Sequence, residues 1–163
     1  MISFSFYFDF VMKALSTNNI DDVLGQYALF KGTYPCDLVP ILLNIEPQAF
    51  VVNTENSHSS GQHWIGLIIK QTNCWYFDSF GNELLNHDIL RSLRKIGVKN
   101  YFFNCKQIQS VYSNSCGYFC MAFVLSFILG IKYEDFLSEF SENVDQNDRL
   151  CLSLIKRYLF ASS

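Results

Sequence analysis

The chain has 163 residues, half of them hydrophobic, and its 12 Lys and Arg stand against 15 Asp and Glu for a net charge of −3. Such a length accommodates one domain with a substantial core, and the apolar fraction excludes a disordered chain. The mild acidity argues against a protein that wraps nucleic acid.

In chain order, Phe4, Phe6, Phe8 and Phe10 alternate with Ser3, Ser5, Tyr7 and Asp9, a period of two that predicts a half-buried strand over residues 3–10. Thr17 or Asn18 is expected to cap a short helix running to about Gln26. The following LFKGTYPCDLVP carries Gly32, Pro35 and Pro40 and reads as loop. AFVVN at 49–53 reads as a strand, and ENSHSSGQ after it as an exposed loop. HWIGLIIK at 63–70 and CWYFDSF at 74–80 are β-rich runs separated by a polar connection, which predicts a hairpin.

Residues 84–97 have helical spacing and a closing Gly97, with Arg91, Arg94, Lys95 and Lys99 forming a solvated basic face. YFFN at 101–104 reads as a short strand. The polar QSVYSNS at 109–115 then runs into CGYFCMAFVLSFILG, which is apolar on every face, the mark of a helix enclosed by protein. At about 15 residues it is short of the roughly 20 needed to span a bilayer, so no membrane partner is expected. Helices at about 133–140 and 146–160 finish the chain. Strands and helices alternate without a repeated βαβ unit, which predicts an α+β fold with a mixed central sheet flanked by helices. With no repeat or linker, a single domain over 1–163 is expected, residues 1–12 supplying an extra N-terminal strand.

The six cysteines include no CxxC pair, and no His stands at metal-ligand spacing, so neither a metal nor another cofactor is expected. The first residues have no basic cluster ahead of the apolar run and carry Asp9 within it, unlike a signal peptide. An intracellular protein with reduced thiols follows.

Cys116 stands at the threshold of the enclosed helix. A thiol there meets unpaired N–H groups and the positive end of the helix dipole, which favour thiolate and can hold a developing oxyanion. Gly117 beside it lets another backbone, or a substrate, come close. A nucleophilic Cys116 needs a base, and the histidines are His58, His63 and His87. His58 lies in a polar loop and His87 near a helix start, whereas His63 opens a strand. If the hairpin pairs Ile69 with Cys74, then Asp78 is diagonal to His63 on the same face. Such neighbours are ~7–8 Å apart at the backbone, within reach of a carboxylate-to-imidazole hydrogen bond. A one-residue change of loop length would send Asp78 to the other face. Asp78 could also cap its own backbone in a DSFG turn. Gln109, seven residues before Cys116, could donate to an oxyanion, with Gln107 as a competitor.

The ordered set HW at 63–64, FDSFG at 77–81, QSV at 109–111 and CGYFC at 116–120 resembles adenain, the adenovirus-type cysteine endopeptidase. The resemblance runs from about residue 17 to about 129, with FKGTYPCD at 30–37 similar to a family FLGTY segment. It implies a papain-like, adenain-like fold, with Cys116 as nucleophile, His63 as general base and then acid, Asp78 as orienting carboxylate and Gln109 as oxyanion donor. Adenain has Glu where this chain has Asp78; Asp occurs there in related proteases. The implied activity is hydrolysis of viral capsid precursor proteins during maturation, often at Gly-containing sites. Relatives occur in adenoviruses, virophages and virus-like Maverick/Polinton transposons. The implied setting is the nucleus or a cytoplasmic virus factory of a host cell, with packaging into the virion.

Adenain is basic and stimulated by DNA, and this acidic chain departs from that, so a DNA cofactor is not expected. Adenain is also activated by a peptide that adds a strand and forms a disulfide, but Cys105 lies only four residues before Gln109 and does not match the cysteine involved. Residues 3–10 are expected to replace that peptide in cis, in a monomer. Two alternatives stay open: a SUMO- or ubiquitin-like-protein-specific protease, and an inactive relative acting as a capsid or protein-interaction module.

Overall fold

The computed structural model describes residues 12–42 and 46–162, so the strand expected over 3–10 lies outside the described residues. Helix α1, Thr17–Leu24, leads into strand β1, Phe30–Pro35, and β2, Gln48–Asn53. Strands β3, Trp64–Lys70, and β4, Asn73–Phe77, form the hairpin, followed by helix α2, His87–Ile96, and strand β5, Asn100–Phe103. Helices α3, Cys116–Ile128, α4, Tyr133–Ser138, and α5, Val144–Ser162, complete the chain. Among the described residues, these five strands form one sheet in sequential order. Its two outer pairs, β1/β2 and β4/β5, are parallel, and its inner pairs are antiparallel. The α+β class with a mixed sheet expected from the sequence is the class observed.

Both faces of the sheet are covered, which explains why β2 and β3 read as continuous apolar runs. Ala49, Val51 and Ile68 point to one side, into a core shared with α1, α3, α4 and α5. Phe50, Val52, Ile65, Leu67 and Ile69 point to the other, against Ile89 and Leu93 of α2. Helix α3 is buried from Cys116 through Ser126, as its all-round apolar sequence predicts. It lies so close to β3 that a Cβ on Gly66 would sit 2.5 Å from the Phe123 ring. Among the described residues no helix is long and apolar enough to cross a membrane.

Three local expectations change. FKGTYP, read as loop, is strand β1: among the described residues it lies at the edge of the sheet, Pro35 ends it where a missing N–H costs no ladder bond, and the register slips between Phe30 and Thr33. This pairing with distant β2 leaves no alternating pattern to read. The cap of α1 is Ser16, which accepts from Asn19 N while the Asn19 side chain bonds back to the Ser16 backbone. The helix expected over 84–97 starts at His87, because Asn86 accepts from the backbone of Asp88 and Ile89 and so caps it.

Candidate active site

The hairpin register decides whether His63 and Asp78 can meet. Strands β3 and β4 pair Ile69 with Cys74 and Lys70 with Asn73, the two-residue connection having Gln71 at φ 55°. This is the register that sets Asp78 on the His63 face. His63 immediately precedes β3, its carbonyl held by Thr54 N at 2.9 Å, and Asp78 immediately follows β4. Their side chains meet, with His63 Nε2 2.7 Å from Asp78 Oδ1.

Asp78 is 2 % exposed, and a buried carboxylate is costly unless donors replace the lost water. Phe80 N donates to Oδ1 at 2.8 Å and Asn82 Nδ2 to Oδ2 at 3.1 Å. Hydrogen bonds to a charged group are each worth about 1.5–3 kcal/mol, so these donors and His63 together offset the burial. The capping of its own backbone and the contact with His63 are therefore simultaneous, one carboxylate serving both. The turn is closed by Gly81 N donating to Asp78 O at 2.8 Å. Gly81 has φ 72°, and a Cβ on it would lie 2.7 Å from the Lys106 backbone, so this corner needs glycine. The main chain of Asp78 is bound as well: its N–H donates to Asn104 Oδ1 at 3.1 Å, and Asn104 Nδ2 donates to its carbonyl at 2.6 Å.

Burial by itself would lower the basicity of His63. The hydrogen bonds to Asp78 and then Cys116, with the negative charges of both, outweigh it and raise the imidazole from 6.5 to about 9. Nε2 faces Asp78, which leaves Nδ1 for the thiol. Phe80 stacks on the ring at 4.9 Å between centroids, fixing its plane. Cys116 is the first residue of α3 and is 8 % exposed, so its sulfur lies at the helix N-terminus in a restricted opening. Cys120, one turn further on, is fully enclosed and its thiol is pushed well above the ordinary range by burial.

Gln109 is 1 % exposed, and its amide is oriented from both ends. Ser79 Oγ donates to Oε1 at 2.5 Å, and Nε2 donates to Ser113 O at 2.9 Å, with Ser113 Oγ at 3.3 Å. Ser113 and Ser115 hydroxyls are 2.7 Å apart, and Ser115 Oγ donates to Asp148 Oδ1 of α5 at 2.7 Å. The loop entering α3 is thus tied to the body of the protein. Gln107 is exposed, its Nε2 is turned onto Gln109 O at 2.9 Å, and it does not line the cleft that holds Cys116.

His63, Gln109 and Cys116 line one cleft of about 610 Å³, together with Trp64, Phe80 and Leu15. His58 and His87 do not line it: His58 lies in the exposed loop and His87 opens α2. The group that comes close to Gly117 is a side-chain pair. A Cβ there would lie 3.1 Å from Leu15 Cβ and 3.2 Å from Trp64 Cδ1, and Trp64 Nε1 donates to Leu15 O at 2.9 Å. Ser79, Asn82, Asn104, Ser113 and Leu15 had no sequence signal of their own. Ser79 and Asn82 belong to a readable turn, but their partners lie in other segments. Among the described residues no cluster of three or more His, Cys, Asp or Glu could hold a metal ion.

The model of the adenovirus endoprotease family matches residues 30–146. No curated protein sequence matches the chain. Among solved structures, a protease of ASFV, the African swine fever virus, is similar with a TM-score of 0.51 at 18% identity, covering 85% of this chain. The match covers 66% of that protease, just under two thirds of its length, and at this identity the likeness is one of fold. ChlaDub1 from Chlamydia trachomatis is similar at 16% identity over 71% of this chain and 60% of that one, with a TM-score of 0.48.

Proposed function

The chain belongs to the adenovirus endoprotease family, a family of cysteine proteases, and on that premise we propose that it is a cysteine endopeptidase acting through Cys116, His63, Asp78 and Gln109. The observation that carries the reading is the bond of 2.7 Å from His63 to Asp78, with the same imidazole also bonded to Cys116 at a helix N-terminus. A structural histidine paired with a buried carboxylate would not also need a thiol and an amide beside it.

In the reaction, the Cys116 thiolate, its proton already held by the His63 imidazolium, attacks the scissile carbonyl carbon, forming a tetrahedral oxyanion. The Cys116 N–H and Gln109 Nε2 hold that oxygen; the charged oxygen displaces the long contact of Nε2 with the Ser113 hydroxyl. The imidazolium then protonates the leaving amine as the C–N bond breaks, and a thioester remains. His63 next draws a proton from water, whose oxygen attacks the thioester and releases the acid and the thiol. Asp78 keeps the ring in register throughout and stabilises its charged form.

The substrates we assign are capsid precursor proteins of a virus or virus-like element, cut at Gly-containing sites in the host nucleus or a cytoplasmic virus factory. The enzyme works as a monomer without DNA. The test is cleavage of a Gly-containing precursor peptide by the purified chain beside Cys116→Ala, with and without DNA. Cleavage that needs Cys116 but not DNA supports the assignment. Cleavage confined to a folded ubiquitin-like modifier with a diglycine tail would move it to a deconjugating protease, and an inert Cys116 would leave a binding module.

A further inference from the structure

The β4/β5 ladder runs in parallel from Asn73 and Asn100 to Tyr76 and Phe103, and there it stops. Asp78 lies two residues past the last rung, so the sheet does not hold its backbone. The next residue of the departing strand, Asn104, holds it instead with its side chain. The planar carboxamide presents an acceptor to Asp78 N–H at 3.1 Å and a donor to Asp78 O at 2.6 Å, in the manner of another peptide unit. A ladder bond is in effect continued by a side chain after the main chain has turned away.

The amide is saturated and cannot turn over. Its second N–H donates to Lys106 O at 3.2 Å, and the Tyr133 hydroxyl, which donates to Tyr76 O at 2.7 Å, lies 3.3 Å from Asn104 Oδ1. Asn104 is 3 % exposed and does not line the cleft. An asparagine amide carries an acceptor and a donor on one planar group and so meets the N–H and the C=O of one residue together. The bland account is a buried asparagine satisfying stray backbone groups. Against it stands the identity of the residue gripped on both backbone groups: it is the one whose carboxylate must stay 2.7 Å from the His63 ring.

We propose that Asn104 is a positioning residue, which sets the Asp78 carboxylate against His63 and so keeps the imidazole aimed at Cys116. The claim deepens the protease reading and rests on it for its effect on turnover, but its effect on His63 can be read without substrate. The other titratable groups facing the pair are Cys116 and Cys120 of α3 and Tyr76 of β4.

The experiment uses the full chain carrying Asn104→Leu or Tyr133→Phe, each alone and combined with Asp78→Asn. It reads kcat and KM on a precursor peptide and the His63 titration by NMR. Asn104→Leu is expected to lower kcat on the order of tenfold to a hundredfold with KM nearly unchanged. The His63 midpoint is expected to fall from about 9 toward 6.5. On the Asp78→Asn background the same change should cost less than about twofold, because a residue acting through Asp78 has nothing left to position. A lowered melting temperature with unmoved titration and kcat would overturn the proposal, as would full multiplicativity with Asp78→Asn. If Asn104→Leu does not fold, Tyr133→Phe decides: a smaller shift of the midpoint in the same direction supports the proposal, and none refutes it. If the unaltered chain cleaves no peptide, the endopeptidase reading fails while the NMR arms still judge the role of Asn104.

Discussion

At the scale of single residues, His63 carries the pH behaviour. Its imidazole is raised to about 9, so the proton for the leaving amine is available at neutral pH and lost as pH rises through about 9. Peptide hydrolysis should therefore fall about tenfold per unit above that point, while alkylation of Cys116, which needs no proton donor, should not. A rate that holds steady to pH 10 would show that another group supplies the proton. The same shift is a stability term: with the folded value above 6.5, the stabilisation is fully present below pH 6.5 and lost as pH rises through about 9. The difference in melting temperature between the unaltered chain and His63→Ala should shrink across that window. Gln109→Ala should lower kcat by about 10²–10³ with little change in KM, the usual effect of removing one oxyanion donor. A change confined to KM would assign Gln109 to substrate binding instead.

At the scale of elements, the hairpin carries the site and two glycines let it close. Gly66→Ala would drive a Cβ into the Phe123 ring at 2.5 Å and separate α3 from β3. The expected loss is about 1–3 kcal/mol, read as a lower denaturation midpoint with an unchanged slope. Gly81→Ala meets both a φ of 72° and the Lys106 backbone at 2.7 Å, and it lies in the Asp78 turn. It should reduce activity more than its effect on stability explains, tested by comparing kcat well below the melting temperature of each protein. The hairpin was readable because two apolar runs with a short polar join leave few registers, and strand periodicity then puts Asp78 and His63 on one face. Strand β1 was not, because an edge strand with a proline and a register slip draws its order from β2.

At the scale of the whole molecule, the fold separates five of the six thiols that composition alone makes equivalent. Cys74, Cys120 and Cys151 are fully buried, and burial pushes Cys74 up to about 12 and the other two well above the ordinary range. Cys105 is exposed, and Cys116 opens on the cleft. Iodoacetamide on the native protein should label Cys116 and Cys105, with Cys74, Cys120 and Cys151 following only after denaturation; mass spectrometry of the digested chain identifies them. Prompt native labelling of Cys120 would mean that α3 is not enclosed as described.

The sequence by itself determined the α+β class and the enclosed helix with Cys116 at its start, since each rests on a local period, and it made the His63 and Asp78 pairing conditional on a hairpin register that the structure supplies. Motif order placed Gln109 in the same set. Only the tertiary structure decided which way the Gln109 amide points, because Ser79 and Ser113 set it from opposite sides. It alone brought Leu15 against Trp64, and Asn104 against Asp78, across 49 and 26 positions of chain. Such contacts leave no periodic trace, because one polar side chain meeting one distant backbone group imposes nothing on its neighbours in sequence.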